Sequence, residues 1–204
     1  ATDSLILILL NTILQKYGGK SQGDMFITCA TIAQSYLLLI TSSMIGISGG
    51  TQAILSYNYG ARRADRVKDA ERNILGVMLI FTTIMFLLSR LVPRYFVLLF
   101  TSDPQYISFS VWAIHTYTLM IIPLSFQYVF VDGLTALDRP KTGLALSVTR
   151  KSLFVLSAAI LPVFFDAKAA FFAEPVADGV CSVLSTVVFL LLINRHLQKR
   201  CQTV

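Results

Sequence analysis

Apolar positions along this chain come in long unbroken runs, separated by short polar, glycine-rich or basic stretches. Runs such as residues 5–10 and 189–193 show no alternation of apolar and polar positions, which argues against the strands of a membrane barrel. A helix needs about 20 mostly apolar residues to cross the hydrocarbon core of a bilayer. That length predicts helical spans over residues 4–17, 25–54, 74–92, 107–137, 144–165 and 169–194. The first is short, as if the sequence starts inside a helix. It also lacks the basic segment and small-residue cleavage site of a signal peptide. Gly18-Gly19-Lys20 closes it, Pro93 stops the third span, and Pro123 lies inside the fourth, where a helix bend is expected. Residues 95–100 read as an interfacial turn. The expected fold is an all-α membrane protein with a six-helix transmembrane lobe over residues 1–194. Residues 195–204 are expected to form a cytoplasmic basic tail.

Composition agrees with the pattern. Hydrophobic residues make up 55% of the 204 positions and charged residues 14%, against roughly 25% charged in a soluble domain. The net charge of +6 is distributed unevenly. Arg62, Arg63, Arg66, Lys68 and Arg72 follow the second span; Arg139, Lys141, Arg150 and Lys151 follow the fourth; Arg195, Lys199 and Arg200 follow the last. These twelve fall on one side, with Arg150 and Lys151 read as interfacial. Lys16, Lys20, Arg90, Arg94 and Lys168, five in all, fall on the other. Basic residues favour the cytoplasmic side, so both termini are expected in the cytoplasm and the protein in the inner (plasma) membrane. The basic residues lack aromatic interleaving, so the charge points to topology and anionic lipid, with no nucleic-acid partner.

Cys29 and Cys181 lie within spans as small packing residues, and no CxxC or HExxH occurs. Neither a metal site nor a cofactor is expected. Nor do Asp, His or Arg residues cluster at one membrane face as a membrane enzyme would require. His115 reads as a satisfied interfacial histidine or as a proton relay.

Ionisable groups inside a membrane are costly and need a reason. Asp132 lies in the fourth span without a cation one helical turn away. Glu174 and Asp178 sit four apart in the sixth span, hence on one helix face. Each is a candidate for binding substrate or a coupling ion. The alternatives are an acid facing the cytoplasmic mouth for Asp132, and an acid favoured at a helix start near the outer interface for Glu174. Asn11, Gln34 and Gln127 interrupt apolar stretches; they either hydrogen-bond helix to helix or line a cavity. Gly46 and Gly50 have the small-xxx-small spacing that permits close helix approach.

The segment Gly50-Thr-Gln52-Ala-Ile-Leu-Ser-Tyr57-Asn58-Tyr-Gly60-Ala-Arg62, ending a long apolar helix, resembles the motif after the eighth helix of the multidrug and toxic compound extrusion (MATE) family. Asn11 ahead of Gly18-Gly19 is similar to that family's seventh helix. Phe126-Gln127 and Leu134-Thr-Ala-Leu-Asp138-Arg-Pro-Lys141 resemble its tenth, where a small residue or glycine is usual at Asp138. Ser147-Val-Thr-Arg150 and Glu174-Pro-Val-Ala-Asp178 also fit. The resemblance covers nearly the whole chain and is to the carboxy-terminal half. It implies twelve helices in two six-helix lobes that rock about a central cavity, exporting cationic or amphipathic drugs in exchange for H⁺ or Na⁺. Gln52, Tyr57, Asn58 and Gly60 would then form a gate or lobe-packing motif, with plain helix termination as the alternative. The expected partners are the bilayer, a small-molecule drug, and an amino-terminal lobe or a second copy. A lipid-linked oligosaccharide flippase of the same superfamily and a non-transporting membrane scaffold are the other readings.

Overall fold

A computed structural model describes residues 2–202. The described residues form helices α1 (Thr2–Gly60), α2 (Ala64–Leu91), α3 (Pro93–Val97), α4 (Pro104–Tyr117), α5 (Ile121–Ala136), α6 (Pro140–Phe164) and α7 (Ala173–Gln202). A 3₁₀ turn, Ala167–Phe172, leads into α7.

α1 is two arms joined at a sharp reversal. Gly19 has φ 65° and ψ −176°, a conformation that a side chain would strain. A Cβ on Gly18 would lie 2.9 Å from the Gly23 Cα, and one on Gly23 would lie 3.3 Å from the Gln15 Cα. Residues 15 and 23 would be about 12 Å apart along a straight helix. The arms therefore fold back on each other, and only glycines fit the elbow. The first arm, residues 2–18, is about 25 Å long by its rise per residue, a short crossing. The second arm is Gln22–Gly60.

Four helical segments are long and apolar enough to cross a bilayer: Gln22–Gly60, Ala64–Leu91, Pro140–Phe164 and Ala167–Ile193. α4 and α5 are together long and apolar enough for one further crossing, bent by 47° at their junction. Thr118, Leu119 and Met120 form the break, one turn before Pro123. That proline has no N–H for the carbonyl of residue 119, and its ring crowds it. The Thr118 hydroxyl finishes α4 by donating to the Ile114 carbonyl at 2.7 Å. With the short first arm, six helical passes result.

Several boundaries differ from the sequence reading. α2 begins ten residues before position 74, so Arg66, Lys68 and Arg72 lie on a helix and the true loop is residues 61–63. Of the expected turn at 95–100, residues 95–97 belong to the short helix α3 and residues 98–100 are turn. α7 runs without a break past residue 194. Gly46, Gly49 and Gly50 face open space, so the small-xxx-small spacing makes no close approach within this lobe.

Two helix ends share one device. Arg62 (φ 57°) and Asp138 (φ 62°) are left-handed. Arg63 N–H donates to the Asn58 carbonyl at 3.0 Å and Arg139 N–H to Leu134 at 2.9 Å. Arg62 N–H and Asp138 N–H donate to Tyr59 and Thr135. This is the Schellman closure, which satisfies terminal carbonyls and normally uses glycine.

The helices are tied by packing and by hydroxyls, as expected where lipid supplies no hydrophobic drive between them. Ser48 and Ser56 of α1 donate to the Tyr128 and Ala136 carbonyls of α5, each at 3.2 Å. Thr82 of α2 meets Ser125 of α5 at 2.8 Å, and Ser89 meets Thr118 at 3.0 Å. Phe26, Phe109, Trp112 and Phe171 form an aromatic cluster joining α1, α4 and the 3₁₀ turn. Phe130 of α5 stacks on Phe189 of α7 with centroids 4.4 Å apart.

Candidate functional site

α5 repeats Gln127, Tyr128, Val131 and Asp132 at helical spacing, which puts them on one face. α6 presents Ser147, Arg150 and Lys151 by the same geometry. Together with Ile45 of α1, these side chains line a cavity of about 190 Å³. Gln127 is 4% exposed, and its Oε1 is buried without a partner. A helix-bound amide with a free acceptor at a cavity is suited to taking a hydrogen bond from a bound molecule or water.

Behind this wall α6 meets α7 through three charges. Arg150 Nε donates to Asp178 Oδ1 at 2.7 Å, and an Arg150 terminal amino group donates to Glu174 Oε1 at 2.9 Å. Asp178 is fully buried, with Oδ2 unpartnered. Charge-assisted hydrogen bonds of this kind are the strong ones, and arginine's planar fork can hold two acceptors at once. Tyr128 lies within electrostatic reach of Arg150, Asp178, Glu174 and Asp132.

Depth changes the meaning of this cluster. Arg150 stands ten residues past Pro140 and fourteen before Phe164. Asp178 stands eleven residues past Ala167 and fifteen before Ile193 in the span led by the 3₁₀ turn. Both are near the middle of their spans. Arg150, expected at the interface, is thus ten residues into its helix and paired with α7. Glu174 lies seven residues past Ala167, one helical turn nearer the start of that span than Asp178. Asp132, without a cation on its own helix, shares its cavity with two cations of α6.

The remaining sequence candidates disperse. Gln34 lies on α1, where it meets the buried Tyr117 hydroxyl of α4, a helix-to-helix contact away from the cavity. Asn11 is half-buried on the first arm and does not line the cavity. Gln52 is half-buried, Tyr57 is 75% exposed, and Gly60 is open. The Asn58 side-chain amide donates to the Ile54 carbonyl of its own helix at 2.8 Å, while its backbone carbonyl takes the Schellman bond from Arg63. The histidine reading also shifts: His115 Nε2 is buried without a partner, so this ring is not fully satisfied. Cys29 and Cys181 are buried free thiols.

Sequence reasoning passed over Tyr128, Arg150 as a partner of α7, and Glu71. The i, i+4 spacing of Tyr128 and Asp132 was a visible signal for the first. Glu71 falls in what reads as a basic loop, ahead of the apolar run that starts at Ile74.

Comparison with known proteins bears on the whole arrangement. The MatE family model matches residues 1–161. A protein of Shewanella oneidensis named as an FAD transporter is 26% identical over 136 residues, covering 67% of this chain and 29% of that protein. An inward-facing multidrug resistance MATE family transporter of the MOP superfamily superposes on all of this chain with TM-score 0.85 at 15% identity, over 46% of its own length. A MOP superfamily transporter from Pyrococcus furiosus gives TM-score 0.83 at 16% identity, over 96% of this chain and 44% of that one. The chain thus spans less than half the length of these relatives. A family match over most of the sequence, on a bundle that overlays solved MATE transporters, means that this chain belongs to the MatE family of multi-pass membrane transporters.

Proposed function

We propose that this chain forms the carboxy-terminal six-helix lobe of a secondary-active antiporter. It exports cationic or amphipathic organic molecules, drugs among them, in exchange for H⁺ or Na⁺. The observation that carries this reading is Asp132, a carboxylate on the wall of a cavity inside the bundle of a MatE-family chain. It shares that wall with two cations, Arg150 and Lys151, and Arg150 is already held from behind by Asp178 and Glu174. Ionisable groups inside a membrane mark substrate and ion pathways, and with Arg150 neutralised by its two carboxylates, Asp132 is the group that a cationic occupant would meet. A lipid-linked oligosaccharide flippase would be expected to present free cations to its cavity; here the deepest one is occupied by two carboxylates. Alternating access needs two bodies around a shared site, so the chain would act with an amino-terminal lobe or a second copy. In the membrane, the basic residues around positions 61–72 and 139–141 support a cytoplasmic position for both termini. Cysteines introduced at residues 61–69 and 138–143 should be labelled only from that side.

A second reading has one observation behind it, the likeness to the protein named as an FAD transporter. A flavin dinucleotide is an anion and would be drawn to Arg150 and Lys151. The two-lobe protein in proteoliposomes, offered ethidium and FAD under H⁺ or Na⁺ gradients, separates the readings. Gradient-driven ethidium movement supports cation antiport. FAD movement without ethidium movement favours the second reading, and movement of neither under both gradients removes both.

A further inference from the structure

We propose that Glu71 is a proton-binding residue of the lobe, a carboxylic acid seated between α2 and α5 behind the cavity wall. The inference rests on the membrane setting of the bundle and not on which substrate it moves.

The buried residues of α2 are Val67, Glu71, Ile74, Met78, Thr82 and Ser89, a stripe at helical spacing that faces the bundle. Glu71 occupies a position in that stripe that suits an apolar side chain. It is 5% exposed, and its Oε1 is shielded from water. Instead it lies on the backbone of α5 at Gly133. A Cβ built at Gly133 would fall 3.0 Å from the Glu71 carboxyl carbon, and closer still to Oε1. The missing side chain of Gly133 is the slot that the carboxyl fills.

Inside this slot Oε1 is buried without a hydrogen-bond donor. Among the described residues, the charged group that reaches Glu71 is the carboxylate of Asp132, next along α5. An ionised Glu71 would therefore have little water, no donor to Oε1 and no counter-charge among the described residues, and would face a like charge besides. Each condition favours the neutral carboxylic acid. A metal cation fits less well: it needs several converging oxygens, and no cluster of three or more His, Cys, Asp or Glu residues suited to a metal occurs among the described residues. A proton needs no such cage. Asp132 lines the cavity, so the pair connects an enclosed acid to a wetted one.

Infrared difference spectroscopy on the purified full chain in lipid nanodiscs, titrated with pH, tests this without any transport assay. The expected result is a protonated-carboxyl C=O band at neutral pH that is missing in Glu71→Gln. An identical band in wild type and Glu71→Gln across the titration would overturn the assignment. Should Glu71→Gln fail to fold, Asp132→Asn serves in its place, because Asp132 is only partly buried and sits at the cavity. With the neighbouring charge removed, the Glu71 band should be lost at lower pH than in wild type. A band whose titration is unmoved by Asp132→Asn would also overturn the proposal. Failure of drug transport would leave these spectra unaffected, so the two proposals fail separately.

Discussion

The three-charge cluster is where single residues matter most. Arg150 compensates Glu174 and Asp178 together, and Asp178 has no exposure to water. Removing one partner of a buried ion pair leaves an uncompensated charge and costs about 3–5 kcal/mol. Arg150→Met should therefore lower the unfolding temperature in detergent sharply. The triple variant Arg150→Met, Glu174→Gln, Asp178→Asn should recover most of the loss, because well-packed neutral replacements of buried ion pairs are often tolerated. A triple variant as unstable as Arg150→Met would mean that the arginine's packing, and not its charge, supports α6 on α7. Arg62 and Asp138 make a second residue-scale case. Both hold left-handed backbone at the end of a helix, where a side chain costs roughly 1–2 kcal/mol and aspartate less. Arg62→Gly should raise stability by about 1 kcal/mol and Asp138→Gly by less, read from the same melts.

At the scale of the helices, two breaks set the shape of the bundle. The elbow of α1 needs both of its glycines, Gly19 for its positive φ and Gly18 for the backbone of Gly23. Gly18→Ala and Gly19→Ala should destabilise the lobe. Gly46→Ala and Gly50→Ala, with open space around them, should leave the isolated lobe unchanged. The bend between α4 and α5 has two contributors, the missing N–H of Pro123 and the Thr118 hydroxyl, which bonds Ile114 and contacts Ser89. If the proline dominates, Pro123→Ala should straighten the pair and lengthen the distance between spin labels at Ser108 and Asp138. An unchanged distance would assign the bend to Thr118 and its neighbours.

The whole molecule presents extensive apolar surface, with Leu38, Ile80, Leu144, Val183 and Leu191 among its exposed large side chains. On a bundle this apolar, such surface faces lipid or a second body. The chain covers 44% to 46% of the length of solved transporters on which it superposes. Expressed alone, it should insert or aggregate without conferring dye efflux. Co-expression with an amino-terminal lobe should restore gradient-driven efflux. Robust efflux by the purified 204-residue chain, with a dimer on size analysis, would show that two copies suffice.

The amino-acid sequence by itself determined the class of the fold, because the length of an apolar run and its glycine and proline stops are properties of consecutive residues. The spans after position 22, the reversal at Gly18-Gly19 and a disturbance near Pro123 were all legible in this way. The family resemblance was legible because its motifs at residues 50–62 and 134–141 are contiguous. What tertiary structure decided was the pairing of charges. Glu174 and Asp178 shared a helix face by their spacing, but their partner lies 28 residues before Asp178 on another helix. That meeting depends on how far α6 and α7 slide and rotate against each other, which no local pattern encodes. The same holds for Glu71. Its neighbours in sequence are basic and polar, so it reads as part of a loop. Only the packing of α2 on α5, at a glycine that leaves room for a carboxyl group, turns it inward.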